Sequence, residues 1–483
     1  MSVLIVCSFL IVYFFLLLLV SRAASKKDGS NEAYFTGNRR SPWFAVAYGM
    51  IGTMLSGVTF MSIPGYVQKT QFTYLGVVIG NIIGFAIISA VLLPLYYKLN
   101  LTSIYTYLEK RFGRKSQKAG AALFILSRLF GSSLRLYLVV FTLYEFSFKN
   151  AGVPFPILAA AILLLILLYT FRGGIKTVVW TDCLQTTCML LSVAGIFWIL
   201  KSGMSDSFGA ILKEAGEKGM TKIYDGNWKS PLFFWKQIAG GICISLAMTG
   251  LDQDMMQKNL SCRTLRESQK NVALSAVLFF LSNVIFLLLG VLILSYAQKN
   301  QIPLGQKADA IFSTVALSAG QISSLLFMTG LVAAGYSSAD GTIASLTTAF
   351  CLDILGFEKK SFSEEKKTKI RKIVHIAFTL CFFLVIVIFK PFHSDSLIAT
   401  IFTIAGYTYG PLLALFFFGM LMKNRRVRDG AVPFIAIFSP AASFLLNKFS
   451  KELFAGYTFG FEILLLNALI SFVLLLFFSK KQK

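Results

Sequence analysis

The chain has 483 residues, 56% of them hydrophobic and only 14% charged, with a mean hydropathy of +0.71. A soluble globular domain of that size does not reach such values, so the composition leaves a polytopic membrane protein. A formal net charge of +24 invites a nucleic-acid reading, but the lysines and arginines lie mostly between apolar runs, where membrane topology accounts for them and no nucleic acid is implied.

Thirteen apolar runs of about 20 residues follow one another, each long enough for a hydrocarbon core of roughly 30 Å. They cover 2–21, 43–66, 73–97, 119–147, 154–171, 177–200, 232–251, 272–296, 322–351, 371–389, 395–421, 431–447 and 459–479. The first has too long an apolar core for a signal peptide and no basic segment before it, so it reads as a retained helix. Lys and Arg concentrate in the connections after odd-numbered spans. The positive-inside rule then predicts an inner (plasma) membrane protein, embedded in the lipid bilayer, with its N-terminus outside and its C-terminus cytoplasmic. The stretches 201–231 and 297–321 read as loops. Seven cysteines without a CxxC spacing imply neither a disulfide framework nor a metal cluster. His375 and His393, near the two ends of the tenth span, read as interfacial residues.

Two spans five apart are rich in small residues where a lipid-facing helix would be rich in leucine. The second, SPWFAVAYGMIGTMLSGVTFMSIPG, holds Gly49, Gly52, Ser56, Gly57 and Pro64; the seventh, WKQIAGGICISLAMTGLDQ, holds Gly240, Gly241, Ser245, Thr249 and Gly250. Close packing through small residues is one account. The five-span offset favours another: an inverted five-helix repeat whose interrupted helices free backbone groups to bind substrate and ions at mid-membrane. Breaks or bends are expected near Pro64 and Gly335.

The ninth span reads LVAAGYSSADGTIASLTT over 331–348, with Ser337, Ser338 and Asp340 at bilayer depth. An ionisable group there costs roughly 2.5 to 3.5 kcal/mol on insertion scales, so it faces a partner, a cavity or an ion.

That stretch, with FRGGIKTVVWTDCLQTTCML (171–190) and TGLDQDMMQKNLSCRTLRES (249–268), resembles the solute:sodium symporter family, the group of the bacterial proline, sugar, pantothenate and sialic acid symporters. The similarity runs over almost the whole chain. It implies an all-α polytopic membrane protein of about 13 transmembrane helices, with the leucine transporter's five-plus-five inverted-repeat core, one helix before it and two after it. Residues 1–42 would form the N-terminal helix and a cytoplasmic loop, and 43–201 the first repeat. An external loop and the second repeat would occupy 202–421, and the two C-terminal helices 422–483.

The resemblance also implies a sodium ion held by the backbone carbonyls of Gly52, Leu55 and Ala334 and by the hydroxyls of Ser337 and Ser338. Five neutral oxygens suit a hard cation. The adjacent serines lie about 100° apart on a helix with Ala334 one turn before them. Outside such a motif, back-bonding or helix packing would account for a serine pair. Some family members hold a second sodium at an aspartate that matches Asp182. Here Asp340 stands where hydroxyls are expected, so Asp182 and Asp340 could together bind a second sodium or a proton. Equally, Asp340 could pair with Arg128 or Arg135, which share one face of the fourth span.

By position in the family's fold, the solute ligands would be Ser56, Thr59, Phe60, Asn81, Arg135, Ser245, Thr249, and Phe402 or Tyr407. An arginine facing the cavity would favour a carboxylate-bearing solute through charge-assisted hydrogen bonds; pairing with Asp182 or Asp340 would remove that clue. Asp252, Asp254 and Lys258 read as a solvated or gating salt-bridge cluster without a ligand role.

The implied activity is sodium-coupled uptake of a sugar, a sugar acid such as sialic acid, or an amino acid, by alternating access in a monomeric transport unit. One sodium crossing roughly 100 mV supplies about 2.3 kcal/mol and a tenfold gradient about 1.4, enough to concentrate a neutral solute a few hundredfold. A channel would show a filter or charged ring, and an enzyme a nucleophile with its base or a metal cluster; neither pattern is present. The alternative, a sodium- or proton-linked solute sensor without net accumulation, lacks an output domain.

Overall fold

Within a bilayer every backbone N–H and C=O must be satisfied by the chain itself, which leaves helices as the way these apolar runs cross. The computed structural model, which describes residues 3–25, 30–305, 307–390 and 397–481, has helix over each of the thirteen runs. By length and composition, nine helices among the described residues qualify as membrane spans, or ten when a bent pair is taken as one; Phe155–Phe171 and Ile463–Phe477 are shorter apolar helices. The outward faces are apolar, with Trp198 74% and Phe477 80% exposed, as contact with lipid requires. Polar groups turn inward: every residue of the ninth span from Gly330 to Ala349 is buried.

The second span consists of Trp43–Met54 and Gly57–Thr70, bent by 59°. The break falls at Leu55 (φ −89°, ψ 43°) and Ser56, not at Pro64, which lies inside the outer helix. Its counterpart in the seventh span runs Phe234–Ser245, then a wide turn over Leu246–Gly250, then Gln253–Leu260 after an interruption at Leu251 and Asp252. Asp252 caps the last piece by accepting from the Asp254 and Met255 amides, so the break is stabilised by its own first side chain.

Gly335 does not bend the ninth span, which is continuous over Gln321–Ala349. Its role is close approach: a Cβ there would stand 2.4 Å from Val139 Cγ2. Gly57, at the break of the second span, lies against it, since a Cβ on Gly57 would be 3.6 Å from the Gly335 Cα. The two missing side chains bring the broken helix onto the ninth span.

The fifth and sixth spans join without a loop, at Gly174 within Phe155–Ser202. Its φ of 56° is left-handed, and a Cβ would meet the Tyr34 Cα at 2.4 Å, so glycine is required twice over. Both stretches expected as loops contain helices. Phe208–Glu217 starts at Ser207, whose hydroxyl accepts from the Ala210 amide; Ala308–Ser318 packs on Gly57–Thr70, the second half of the second span. A short antiparallel pair, Arg425–Val427 with Ser479–Lys481, ties the last described residues to the loop after the eleventh span.

His375 is a buried residue rather than an interfacial one. It is hydrogen-bonded to Tyr34 (3.0 Å), Thr170 (3.1 Å) and Thr347 (3.3 Å), a polar knot joining four segments. His393 lies outside the described residues. The seven cysteines are unpaired.

Candidate functional site

The two interrupted spans border a cavity at the centre of the bundle. Ser56 and Thr59 come from the second span, Asn81 from the third, Arg128 and Arg135 from the fourth, Ser245 and Thr249 from the seventh, and Phe402 from the eleventh. These include all the expected solute ligands except Phe60 and Tyr407. Phe60 turns away into an aromatic cluster with Phe286, Phe312 and Phe327, with no exposure, because its side of the helix faces the packed core and not the cavity. Tyr407 points to the twelfth span, accepting from Asn447 at 2.8 Å and packing on Phe444. Both are packing residues, and a position count along a helix could not tell which face each would take.

The two arginines have different fates. Arg128 is buried against Asp252, whose carboxylate also accepts from the Tyr409 hydroxyl, and its second nitrogen reaches the Met248 carbonyl at 3.2 Å. Neither arginine pairs with Asp340, because Asp252 at the break of the seventh span lies nearer to Arg128. Arg135, two turns along the same face and also buried, lines the cavity with no hydrogen bond or ion pair to any described residue.

Behind the cavity the second, sixth and ninth spans meet in a polar seam. Ser337 Oγ donates to Asp182 Oδ1 at 2.8 Å and lies 3.2 Å from Thr53 Oγ1. Gly52 is held beside it: its amide donates to Thr186 Oγ1 at 3.0 Å, and a Cβ on Gly52 would stand 3.1 Å from Ser337 Oγ. Leu55 ends the inner half-helix there, so the last carbonyls of that helix lack the next turn's donors. Ala334 and Ser338 are buried one turn apart on the facing helix. Ser338 Oγ has no hydrogen-bond partner among the described residues, and a buried hydroxyl is rarely left so unless another group completes it.

Asp340 accepts from the Tyr169 hydroxyl at 2.9 Å and from Gln185 Nε2 at 3.3 Å, and its own Oδ1 takes the Gly341 amide. Asp182 faces Lys258, whose Nζ is 2.8 Å away, and Lys258 also lies 3.8 Å from Asp254. Of the two readings of this cluster, solvated or gating, the solvated one does not hold: Asp252, Asp254 and Lys258 are 0%, 0% and 1% exposed. Thr53, Thr186, Gln185 and Tyr169 went unnoticed in the sequence. Asp182, Gln185 and Thr186 share a face at i, i+3 and i+4, which is a usable signal. The sequence marks Lys258 only as a neighbour of Asp254; its closer partner, Asp182, is 76 positions away.

A helical membrane protein with two interrupted spans flanking a central polar cavity is a secondary transporter of the leucine-transporter type. Mhp1, a nucleobase-cation-symport-1 family transporter in a closed conformation with bromovinylhydantoin bound, shares this fold. Its TM-score is 0.57 at 14% identity over 93% of this chain and 95% of that one. A substrate-bound, outward-open Na+-coupled sialic acid symporter matches with a TM-score of 0.83 at 25% identity, over 97% of this chain and 96% of its own. The sodium/sialic acid symporter SiaT of Proteus mirabilis (strain HI4320) is 27% identical over 423 residues, 85% of this chain and 83% of that protein. The model of the sodium:solute symporter family matches residues 34–435. The chain belongs to the sodium:solute symporter family. It is a sodium-coupled symporter of a small solute and not an enzyme.

Proposed function

We propose that this symporter carries a carboxylate-bearing solute, a sugar acid such as sialic acid or an amino acid, into the cell by alternating access. The observation that carries the reading is Arg135: a buried guanidinium lining the cavity, with no partner of its own among the described residues. A buried charge without a partner is costly, and a solute carboxylate would complete it with bidentate, charge-assisted hydrogen bonds. The similarity of this chain to sialic acid symporters, in sequence and in structure, supports the same class of solute. Ser56, Thr59, Asn81, Ser245, Thr249 and Phe402 supply the rest of the solute's surroundings.

Sodium is bound by the carbonyls of Gly52, Leu55 and Ala334 and the hydroxyls of Ser337 and Ser338, and the unpartnered Ser338 Oγ supports that role. Asp182 and Asp340 form a second, carboxylate-lined cation position beside it. The moving units are the five-helix repeats 43–201 and 202–421, with 1–42 and 422–483 as flanking helices. The N-terminus is outside and the C-terminus in the cytoplasm. The cavity and the polar seam are built from one chain, so one chain is the transport unit.

Thermal stability of the purified protein against sugars, sugar acids, amino acids and vitamins, each with sodium and with potassium, tests the reading. A carboxylate-bearing solute that stabilises only in sodium, with the effect lost in Ser338→Ala and in Arg135→Gln, is the expected result. Stabilisation by a neutral solute that survives Arg135→Gln overturns the carboxylate assignment. Stabilisation unchanged in potassium or in Ser338→Ala overturns the sodium site.

A further inference from the structure

Four charged side chains meet where the sixth and ninth spans touch the inner piece of the seventh, and none is exposed by more than 1%: Asp182, Asp254, Lys258 and Asp340. Lys258 is the one cation among them. Its Nζ lies 2.8 Å from Asp182 Oδ2, 2.7 Å from Thr53 Oγ1 and 3.8 Å from Asp254 Oδ1. Both Asp254 carboxylate oxygens are buried without a hydrogen-bond partner, so the ammonium is their nearest compensation. The ninth span makes room for it with a glycine. A Cβ on Gly341 would come within 2.9 Å of Nζ and 2.7 Å of Asp254 Oδ1.

The oxygens around Nζ are a carboxylate and a hydroxyl, the donor types a sodium ion takes. They are also the oxygens that lead to the sodium ligands, because Asp182 and Thr53 both contact Ser337 Oγ. An ammonium and a sodium ion cannot occupy one set of oxygens together. An ammonium on a side chain stays with the protein through every cycle, whereas a bound sodium leaves to the cytoplasm.

We propose that the Lys258 ammonium is the resident cation of the Asp182 carboxylate site, so that this symporter binds and moves a single sodium ion per solute. The proposal rests on the reading that Ser337 and Ser338 hold that one sodium. The second cation position is then filled by the chain itself. The concentrating power is that of one ion, and the lysine serves as the fixed counter-charge of Asp182 next to Ser337.

Equilibrium binding of radiolabelled sodium to the purified protein tests this without any transport measurement. Wild type is expected to bind one sodium per chain. Lys258→Met, close in shape and uncharged, is expected to bind two, Lys258→Arg one, and Lys258→Met combined with Asp182→Asn one again. Two sodium ions in wild type overturn the proposal, and so does a count of one in Lys258→Met that elutes as a folded monodisperse species. Should Lys258→Met not fold, wild type and Asp182→Asn decide: one sodium in each supports the proposal, and two falling to one overturns it. Ser338→Ala in the wild-type background reports separately on the underlying site. Sodium binding weakened at least tenfold supports that site, and unchanged binding overturns the serine site while leaving the count in Lys258→Met to judge the lysine.

Discussion

Ser337 and Asp182, 155 positions apart, share a 2.8 Å hydrogen bond that joins the ninth span to the sixth at the depth where the second span breaks. Its neighbour Ser338 is as deeply buried, and its hydroxyl has no hydrogen-bond partner among the described residues. Two adjacent serines thus have opposite relations to the fold, and their alanine variants should differ accordingly. Ser337→Ala removes a donor from a buried carboxylate and should cost about 1–3 kcal/mol of stability, measured by thermal or denaturant unfolding in detergent. Ser338→Ala should unfold like wild type and lose sodium affinity by at least tenfold.

Arg128 and Arg135 separate in the same manner. Arg128→Gln leaves Asp252 buried and unpaired, which should cost roughly 3–5 kcal/mol. Arg135→Gln removes a guanidinium without a hydrogen bond or ion pair among the described residues, so stability should hold while a carboxylate solute binds about 10- to 100-fold more weakly, at about 1.5–3 kcal/mol for a charged hydrogen bond. Calorimetric titration on folded protein checks both.

Gly335 packs on Val139 with no room for a methyl group. Gly335→Ala should cost about 1–3 kcal/mol by overpacking. Val139→Ala in the same chain should recover most of it, an interaction that a double-mutant cycle measures.

Phe60 tests the assignment of the cavity. Phe60→Ala should destabilise by about 3–5 kcal/mol and leave the solute dissociation constant unchanged, because its ring packs on Phe286, Phe312 and Phe327 and not on the cavity.

Cys262, between the last piece of the seventh span and the eighth, has its thiol pushed up to about 12, first by burial and then by Glu267 nearby. It should resist maleimide at pH 8 in the folded protein and label fully after unfolding, as read by mass spectrometry.

The helices were legible because period and length alone decide what crosses a bilayer. The break of the second span was legible as a cluster of glycines and serines, yet its position was not. Pro64 drew attention, but it lies inside the helix Gly57–Thr70, while Leu55 and Ser56, where the helix breaks, carry no local mark. Ser337, Ser338 and Asp182 could be found because each polar residue interrupts an apolar helix. Lys258 could be read only as part of a charged cluster with Asp252 and Asp254; tertiary folding alone carries it to Asp182, Thr53 and Gly341. Phe60 and Tyr407 failed for the opposite reason, since sequence position fixes depth along a helix better than the direction a ring will take.

The ninth span, wholly enclosed from Gly330 to Ala349, is also the least apolar of the nine candidate spans among the described residues. Its serines, threonines and aspartate are tolerable at that depth because other helices surround them. On its own the segment would enter a bilayer poorly. Its residence in the membrane is thus a property of the assembled protein, and the spans made earlier in synthesis must still be accessible to receive it when it emerges. A substitution on those neighbours can then prevent the protein from maturing without touching the sites that handle sodium or solute.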